Sequence, residues 1–182
     1  MFQKIGSEIM RERPNILITG TPGTGKTTTC ELVADLTGLE HMEIGKIVKQ
    51  NSLYDSYDSD LDCYILDEDK VVDFLDGRMS DIKGGVIVDH HGCDFFPERW
   101  FDLVVVLQCC DDTSVLYDRL KARGYSDRKI EENMQCEIMR VISEEAAESY
   151  ASDRIVELRS ATVDDMEQNV NRIDEWITVN FQ

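Results

Sequence analysis

The stretch that decides the fold is Pro14-Asn15-Ile16-Leu17-Ile18-Thr19-Gly20-Thr21-Pro22-Gly23-Thr24-Gly25-Lys26-Thr27-Thr28. Ile16, Leu17 and Ile18 form a short unbroken apolar run, the pattern of a strand buried on both faces of a parallel sheet. Gly20 to Thr27 fits the spacing GxxxxGK[ST]. It falls between that predicted strand and a helix expected from Lys26 to Thr37, stopped by Gly38. Gly20, Gly23 and Gly25, with Thr24 between them, let the backbone wrap so that successive N–H groups and the helix N-terminus meet anionic oxygens. Lys26 would reach the outer phosphates, and the Thr27 hydroxyl would bind magnesium. Thr28 would add a hydroxyl at the α-phosphate. A glycine-rich turn that binds nothing shares part of this pattern. The strand–turn–helix context, together with Lys26 and Thr27, points instead to a nucleotide.

Working outward, the chain keeps alternating. His41 to Ile44 predicts a second strand, and Gly45 to Asp62 reads as an acidic insertion without a period. Asp67 is the expected N-cap of a helix carrying Val71, Val72 and Leu75, with Gly77 as its stop. Gly84-Gly85 introduces the strand Val86-Ile87-Val88-Asp89, and Leu103 to Leu107 is a further buried strand. A helix from Thr113 to Ala122 is broken by Gly124. A longer one carries Ile130, Met134, Ile138 and Val141 at helical spacing. Ile155 to Leu158 gives a last strand, and Val163, Met166, Val170, Ile173 and Trp176 mark the closing helix. Five strands alternating with helices predict an α/β fold: a three-layer sandwich, its five-stranded parallel sheet covered by helices on both faces. Residues 14–180 are expected to form one domain, and residues 1–13 a mobile arm.

The charge excludes several functions. Acidic residues outnumber basic ones 37 to 19 in 182 residues, a net charge of −18. Coating a nucleic acid requires clustered Lys and Arg, so direct nucleic-acid binding is expected to be weak. An anionic membrane surface is equally unsuited, and no apolar run approaches the ~20 residues that cross a bilayer. The first residues lack a secretory signal. The expectation is a soluble, intracellular monomer. Cys30, Cys63, Cys93, Cys109, Cys110 and Cys136 then read as reduced thiols, and His90, His91 and Cys93 lack the spacing of a zinc site.

Three further groups carry chemistry. Asp89 ends an apolar strand, and in an open parallel sheet that end faces the ligand crevice; its carboxylate there would hold magnesium directly or through water. His91, two residues on, would orient water or the acceptor, or sense magnesium, whereas His90 points to the opposite face if the strand continues. Arg119, Arg123, Arg128 and Lys129 gather around Gly124. Of these, Arg123 sits at the break, where a moving segment would bring a cation over the phosphates.

These residues bring a family into view. Pro14-Asn15-Ile16-Leu17 with its glycine turn, Leu53-Tyr54-Asp55 and Ile65-Leu66-Asp67-Glu68-Asp69 resemble the adenylate kinase isoenzyme 6 family. So do Gly84 to Asp89, His91-Gly92-Cys93-Asp94-Phe95-Phe96-Pro97-Glu98-Arg99-Trp100, Arg123-Gly124-Tyr125 and Asn133 to Ile138. The resemblance implies a nucleoside monophosphate kinase fold with a monophosphate-binding insert near 43–66 and a short lid near 122–132. It implies phosphate transfer from ATP, with Mg²⁺, to AMP, together with ATP hydrolysis. It further implies a role in late maturation of small ribosomal subunits, with residence in nucleus and cytoplasm. Gly23, Gly25, Lys26, Thr27, Thr28 and Arg123 take the family's ATP-binding positions, and Asp89 and His91 its Asp-x-His element. Gly45, Lys49 and Gly92 are the positions expected to meet AMP. Lys49 stands where the family commonly has an arginine, and it lacks the bidentate fork for a phosphate. The lid also has fewer arginines than an ordinary adenylate kinase.

Two functions from different classes follow. One is the kinase and ATPase. The other is an ATP-gated assembly factor whose hydrolysis drives partner release, with phosphotransfer to AMP minor. For either, the acidic surface predicts a basic small-subunit ribosomal protein as partner, held more weakly as salt rises. The tract Asp55 to Asp62 is the candidate contact.

Overall fold

A computed structural model of the chain describes residues 11–59, 63–109 and 113–181. The apolar run after Pro14 forms β1 (Arg13–Thr19), and the glycine turn leads into α1 (Lys26–Thr37), closed by Gly38. β2 (Glu40–Glu43), α2 (Ile44–Asn51), β3 (Tyr54–Asp58) and β4 (Cys63–Leu66) follow. Next come α3 (Glu68–Met79), β5 (Gly84–Asp89), a short 3₁₀ turn at Glu98–Trp100, and β6 (Leu103–Gln108). The chain continues through α4 (Thr113–Ala122), α5 (Asp127–Ile138), α6 (Val141–Ser149) and β7 (Ile155–Arg159), and α7 (Val163–Asn180) completes it.

β2, β5, β1, β6 and β7 lie side by side in that order, and every pairing is parallel. Side chains alternate across this sheet and fill two cores. Leu17, Val86, Val88, Val104 and Val106 pack with Val48, Val71, Leu75 and Ile142 on one face. Ile16, Ile18, Ile87, Val105 and Leu107 pack with Val33, Val170, Ile173 and Trp176 on the other. This is the sandwich expected from the alternation of elements. Among the described residues, no helix is long and apolar enough to cross a membrane.

Four expectations need correction. Residues 1–10 lie outside the described residues, as do 60–62 of the acidic tract and Cys110. The end of the expected arm, however, is anchored: Arg11 is buried, its guanidinium 3.0 Å from Asp102 Oδ1, and Arg13 already belongs to β1. The stretch after Gly45 is ordered as α2 and β3, because Ile44 and Val48 share one buried helix face and Leu53 packs below them. Gly77 does not stop its helix; α3 runs on to Met79, which is fully buried. Asp67 does cap that helix, accepting from Lys70 N at 3.1 Å. Finally, the long helix through Val141 is two helices. Arg140 takes φ 56° between them and pairs with Glu157, which leaves Ile138 and Met139 exposed and turns Ile142 into the core.

Gly84 shows how tightly the sheet is joined at its other end. Its φ is +56°, and a Cβ there would fall 2.0 Å from the Arg13 carbonyl oxygen. Gly84→Ala is therefore expected to cost about 2–4 kcal/mol, combining left-handed strain with overpacking. Urea unfolding with an unchanged m-value would measure it.

Candidate active site

β1 and β5 are neighbours, with Ile18 opposite Asp89, so the phosphate loop and the Asp89–His91 segment leave the sheet side by side. β2 pairs on the far side of β5 and sets Glu43 opposite Asp89. The crevice beyond these strand ends is the expected ligand position in a parallel sheet. It holds a cavity of about 520 Å³ lined by Lys26, Thr27, Asp89, His91 and Arg123, together with Gly45 of α2 and Cys63 to Leu66 of β4. That volume suits a nucleotide-sized ligand.

Inside the loop, the helix start at Gly25 carries no side-chain cap, which leaves the first N–H groups of α1 for an anion. Gly23 adopts φ +97°, and a Cβ there would come within 2.8 Å of Leu116 Cδ1, so only glycine fits. Lys26 Nζ donates to the carbonyls of Gly20 at 2.7 Å and Thr21 at 3.2 Å. Burial pushes the Lys26 pKa down to about 8, against the pull of Asp89 and with the repulsion of Arg123. Arg123 is thus close enough to act on the same charge.

The Thr27 hydroxyl donates to Asp89 Oδ2 at 2.5 Å, and Asp89 is 4% exposed. Burial raises the Asp89 pKa, opposed by the Thr27 hydrogen bond and the Lys26 charge. His41 Nε2 lies 3.9 Å from the same oxygen. A hydroxyl and a carboxylate at contact distance are hard oxygen donors of the kind that hold Mg²⁺ alongside substrate phosphates and water. The residues present fit that ion.

His91 keeps exposed surface, yet the protein crowds its imidazole. That crowding, with the charges of Lys26 and Lys129, lowers its pKa to about 4, so the ring is neutral at physiological pH. His90 is buried edge-on against Phe95 and Phe96, its pKa pushed well down by burial. It does not point away from His91 as strand alternation predicts: the strand ends at Asp89, the two rings lie 4.3 Å apart, and both line the cavity.

The remaining expected residues fall into three places. Gly20, Gly23, Thr24 and Gly25 shape the loop, and Thr28 sits exposed on the first turn of α1. Gly45 lines the cavity. Lys49 is exposed on α2 and Gly92 follows His91, and neither lines it.

Arg119 does not line the cavity. Its guanidinium donates to the carbonyls of Gly23, Ser160 and Ala161, pinning the loop from behind. Arg128 pairs with Glu132. Three contributors were missed by the sequence reading: Tyr64 on the cavity wall, Ser160, whose hydroxyl donates to Thr24 O at 2.6 Å, and Glu137 beneath the loop. Only Glu137 had a readable clue, since it stands seven residues after buried Ile130.

Comparison with known proteins agrees with this fold. A family model described as an AAA domain matches residues 16–140. Among solved structures, a shikimate kinase from Bacteroides thetaiotaomicron superposes with a TM-score of 0.61 at 16% identity, covering 91% of this chain and 98% of that one. A gluconokinase from Sinorhizobium meliloti superposes at 0.56 and 16% identity over 93% and 98% of the two chains. At that identity the likeness establishes the fold, a P-loop kinase sandwich. The adenylate kinase isoenzyme 6 homolog of Caenorhabditis elegans is 52% identical over 165 residues, 91% of this chain and 90% of that protein. The Dictyostelium discoideum homolog is 52% identical over 169 residues, covering 93% and 94%. The chain belongs to the adenylate kinase isoenzyme 6 family.

Proposed function

We propose that the protein transfers the terminal phosphate of ATP to AMP, giving two ADP, and that it also hydrolyses ATP. The observation that carries this reading is the convergence of Lys26, Thr27, Asp89, His91 and Arg123 on one cavity of about 520 Å³. In the transfer, an oxygen of the AMP phosphate bonds to the γ-phosphorus as the bond from that phosphorus to the β,γ-bridging oxygen breaks. The loop amides and the α1 N-terminus hold the phosphates. Lys26 exchanges its loop carbonyls for phosphate oxygens and offsets the charge spreading over them. Thr27 and Asp89 would hold Mg²⁺, which when bound neutralises phosphate charge. Arg123 adds a cation from the lid side. In hydrolysis, neutral His91 accepts a hydrogen bond from the attacking water and aligns it.

Mixing protein, ATP and Mg²⁺ with and without AMP tests the reading: AMP must increase ADP formation. No increase would remove the kinase assignment. His91→Gly is expected to slow ATP hydrolysis about 10²-fold while ATP affinity stays close to wild type. An equal loss of affinity, with a lower Tm, would make His91 structural instead.

A second reading has its own support. Arg119 is committed to the loop carbonyls and Lys49 stands off the cavity, so Arg123 is the lid cation that lines it. Sparse charge over the phosphates favours slow transfer, and hence an ATP-gated assembly factor in late small-subunit maturation, in nucleus and cytoplasm. At a net charge of −18 its partner would be a basic ribosomal protein rather than rRNA. Binding to each across a salt series separates these; tight binding to the RNA alone would reject the partner. Stimulation of ATP turnover by the protein partner, and not by AMP, would favour the assembly factor.

A further inference from the structure

We infer that Glu137 is a positioning residue that ties the lid side of the molecule to the phosphate loop, so that the loop's shape follows the placement of α5. The inference rests on reading Gly20 to Thr27 as an ATP site.

Glu137 is one residue from the end of α5 and only 4% exposed. A carboxylate so deeply buried is costly without partners. Both oxygens are in fact engaged, and by segments far from its own helix. Thr21 Oγ1 in the phosphate loop donates to Oε2 at 2.5 Å, and Cys109 N, just beyond the end of β6, donates to Oε1. One side chain therefore joins loop, sheet and helix.

Thr21 is the hub of that loop. Its carbonyl accepts from Lys26 Nζ at 3.2 Å, Thr24 N at 3.2 Å and Thr24 Oγ1 at 2.9 Å. Fixing the Thr21 hydroxyl on Glu137 orients the residue whose oxygen holds Lys26. At its other end α5 emerges from the lid. Lys129 sits over the Tyr125 ring at 4.4 Å, and Tyr125 and Met134 pack against Leu116, Leu120 and Ile130. Leu116 and Leu120 in turn abut Gly23. Beyond Glu137, the left-handed Arg140 and its ion pair with Glu157 of β7 end the helix. The helix is pinned beneath the loop and carries the lid contacts at its far end.

The chemistry of the site requires two acceptors. Glutamine offers one acceptor oxygen and would set an N–H₂ against the second donor. The Thr21 hydroxyl gives a cleaner test, because valine keeps its shape and serine keeps its donor.

The experiment measures ATP turnover, affinity for a fluorescent ATP analogue and Tm in wild type, Thr21→Val, Thr21→Ser, Glu137→Gln, Arg123→Ala and the Thr21→Val/Arg123→Ala double variant. Thr21→Val is expected to lower kcat about tenfold, the scale of one lost hydrogen bond to a charged group. Thr21→Ser should recover most of that loss, and Glu137→Gln should reproduce it. The double variant should lose less than the product of the single losses, because both act on one coupled element. Wild-type turnover in Thr21→Val, or losses that multiply, would overturn the inference. So would a fall in Tm alone, with kcat unmoved. A wild-type chain that binds no ATP overturns the ATP reading and this inference with it. If it binds without turnover, the affinities decide: Thr21→Val must bind about tenfold more weakly than Thr21→Ser.

Discussion

Lys26→Ala is expected to lower kcat/KM for ATP by at least about 10³-fold, the upper range for removing one donor that stabilises transition-state charge. Lys26 lines the cavity, its Nζ held by the Gly20 and Thr21 carbonyls of the loop. Its ammonium is destabilised by burial, which brings its pKa to about 8. The pH dependence follows in sign. In the free protein the lysine loses its proton as pH rises through about 8, and the neutral amine cannot pair with phosphate. The kcat/KM for ATP should therefore fall above that pH with the slope of one proton, and Lys26→Arg should move the limb upward, since arginine stays charged. His91, its pKa near 4, adds no limb between pH 5 and 8. A profile flat to pH 10 in the wild type would contradict this account. Tm measured alongside separates loss of chemistry from loss of fold.

The second large effect is Asp89→Asn, expected to lower kcat about 10²-fold and to raise the Mg²⁺ concentration needed for half-maximal rate. Asparagine can still accept the Thr27 hydroxyl bond now made at 2.5 Å, so the geometry is kept and only the charge is lost. The same change should raise Tm. Burial lifts the Asp89 pKa above its unfolded value, so the ionised form is penalised in the fold. Stability that the protonated acid would contribute at low pH is lost as pH rises through the folded pKa. At neutral pH the native carboxylate is a cost, and the neutral amide relieves it. A stabilised but inactive variant is the signature of a residue kept for function. A variant equally active at saturating and at limiting Mg²⁺ would show that Asp89 holds no metal.

How far the sequence carried depends on the range of the interaction concerned. The phosphate loop was legible because its parts lie within eight consecutive residues, and glycine torsion, the N–H array and the following helix are all local chemistry. The buried strands were legible because Leu103 to Leu107 and Val86 to Val88 are continuous apolar runs that only a covered parallel sheet explains. The helix break at Arg140 was hidden, because Ile138 continues the apolar spacing of Ile130 and Met134 although it ends up exposed.

The sequence alone thus determined the α/β sandwich, the phosphate loop and the pairing of Asp89 with His91 at a strand end. The loop and the Asp89–His91 pair are patterns of a few adjacent residues, and the sandwich follows from the order in which such short strand and helix patterns alternate. Only the tertiary structure decided which distant groups complete the site. It set Tyr64 of a separate hairpin on the cavity wall and left Lys49 and Gly92 off it. It made Arg119, to which the sequence assigned no role, a staple for the Gly23 and Ser160 carbonyls. It also placed Glu137 under Thr21, 116 residues away along the chain. The physical reason is that these contacts join segments brought together by packing. A buried carboxylate such as Glu137 is tolerated only when its donors arrive from elsewhere, and nothing in the residues around it announces them.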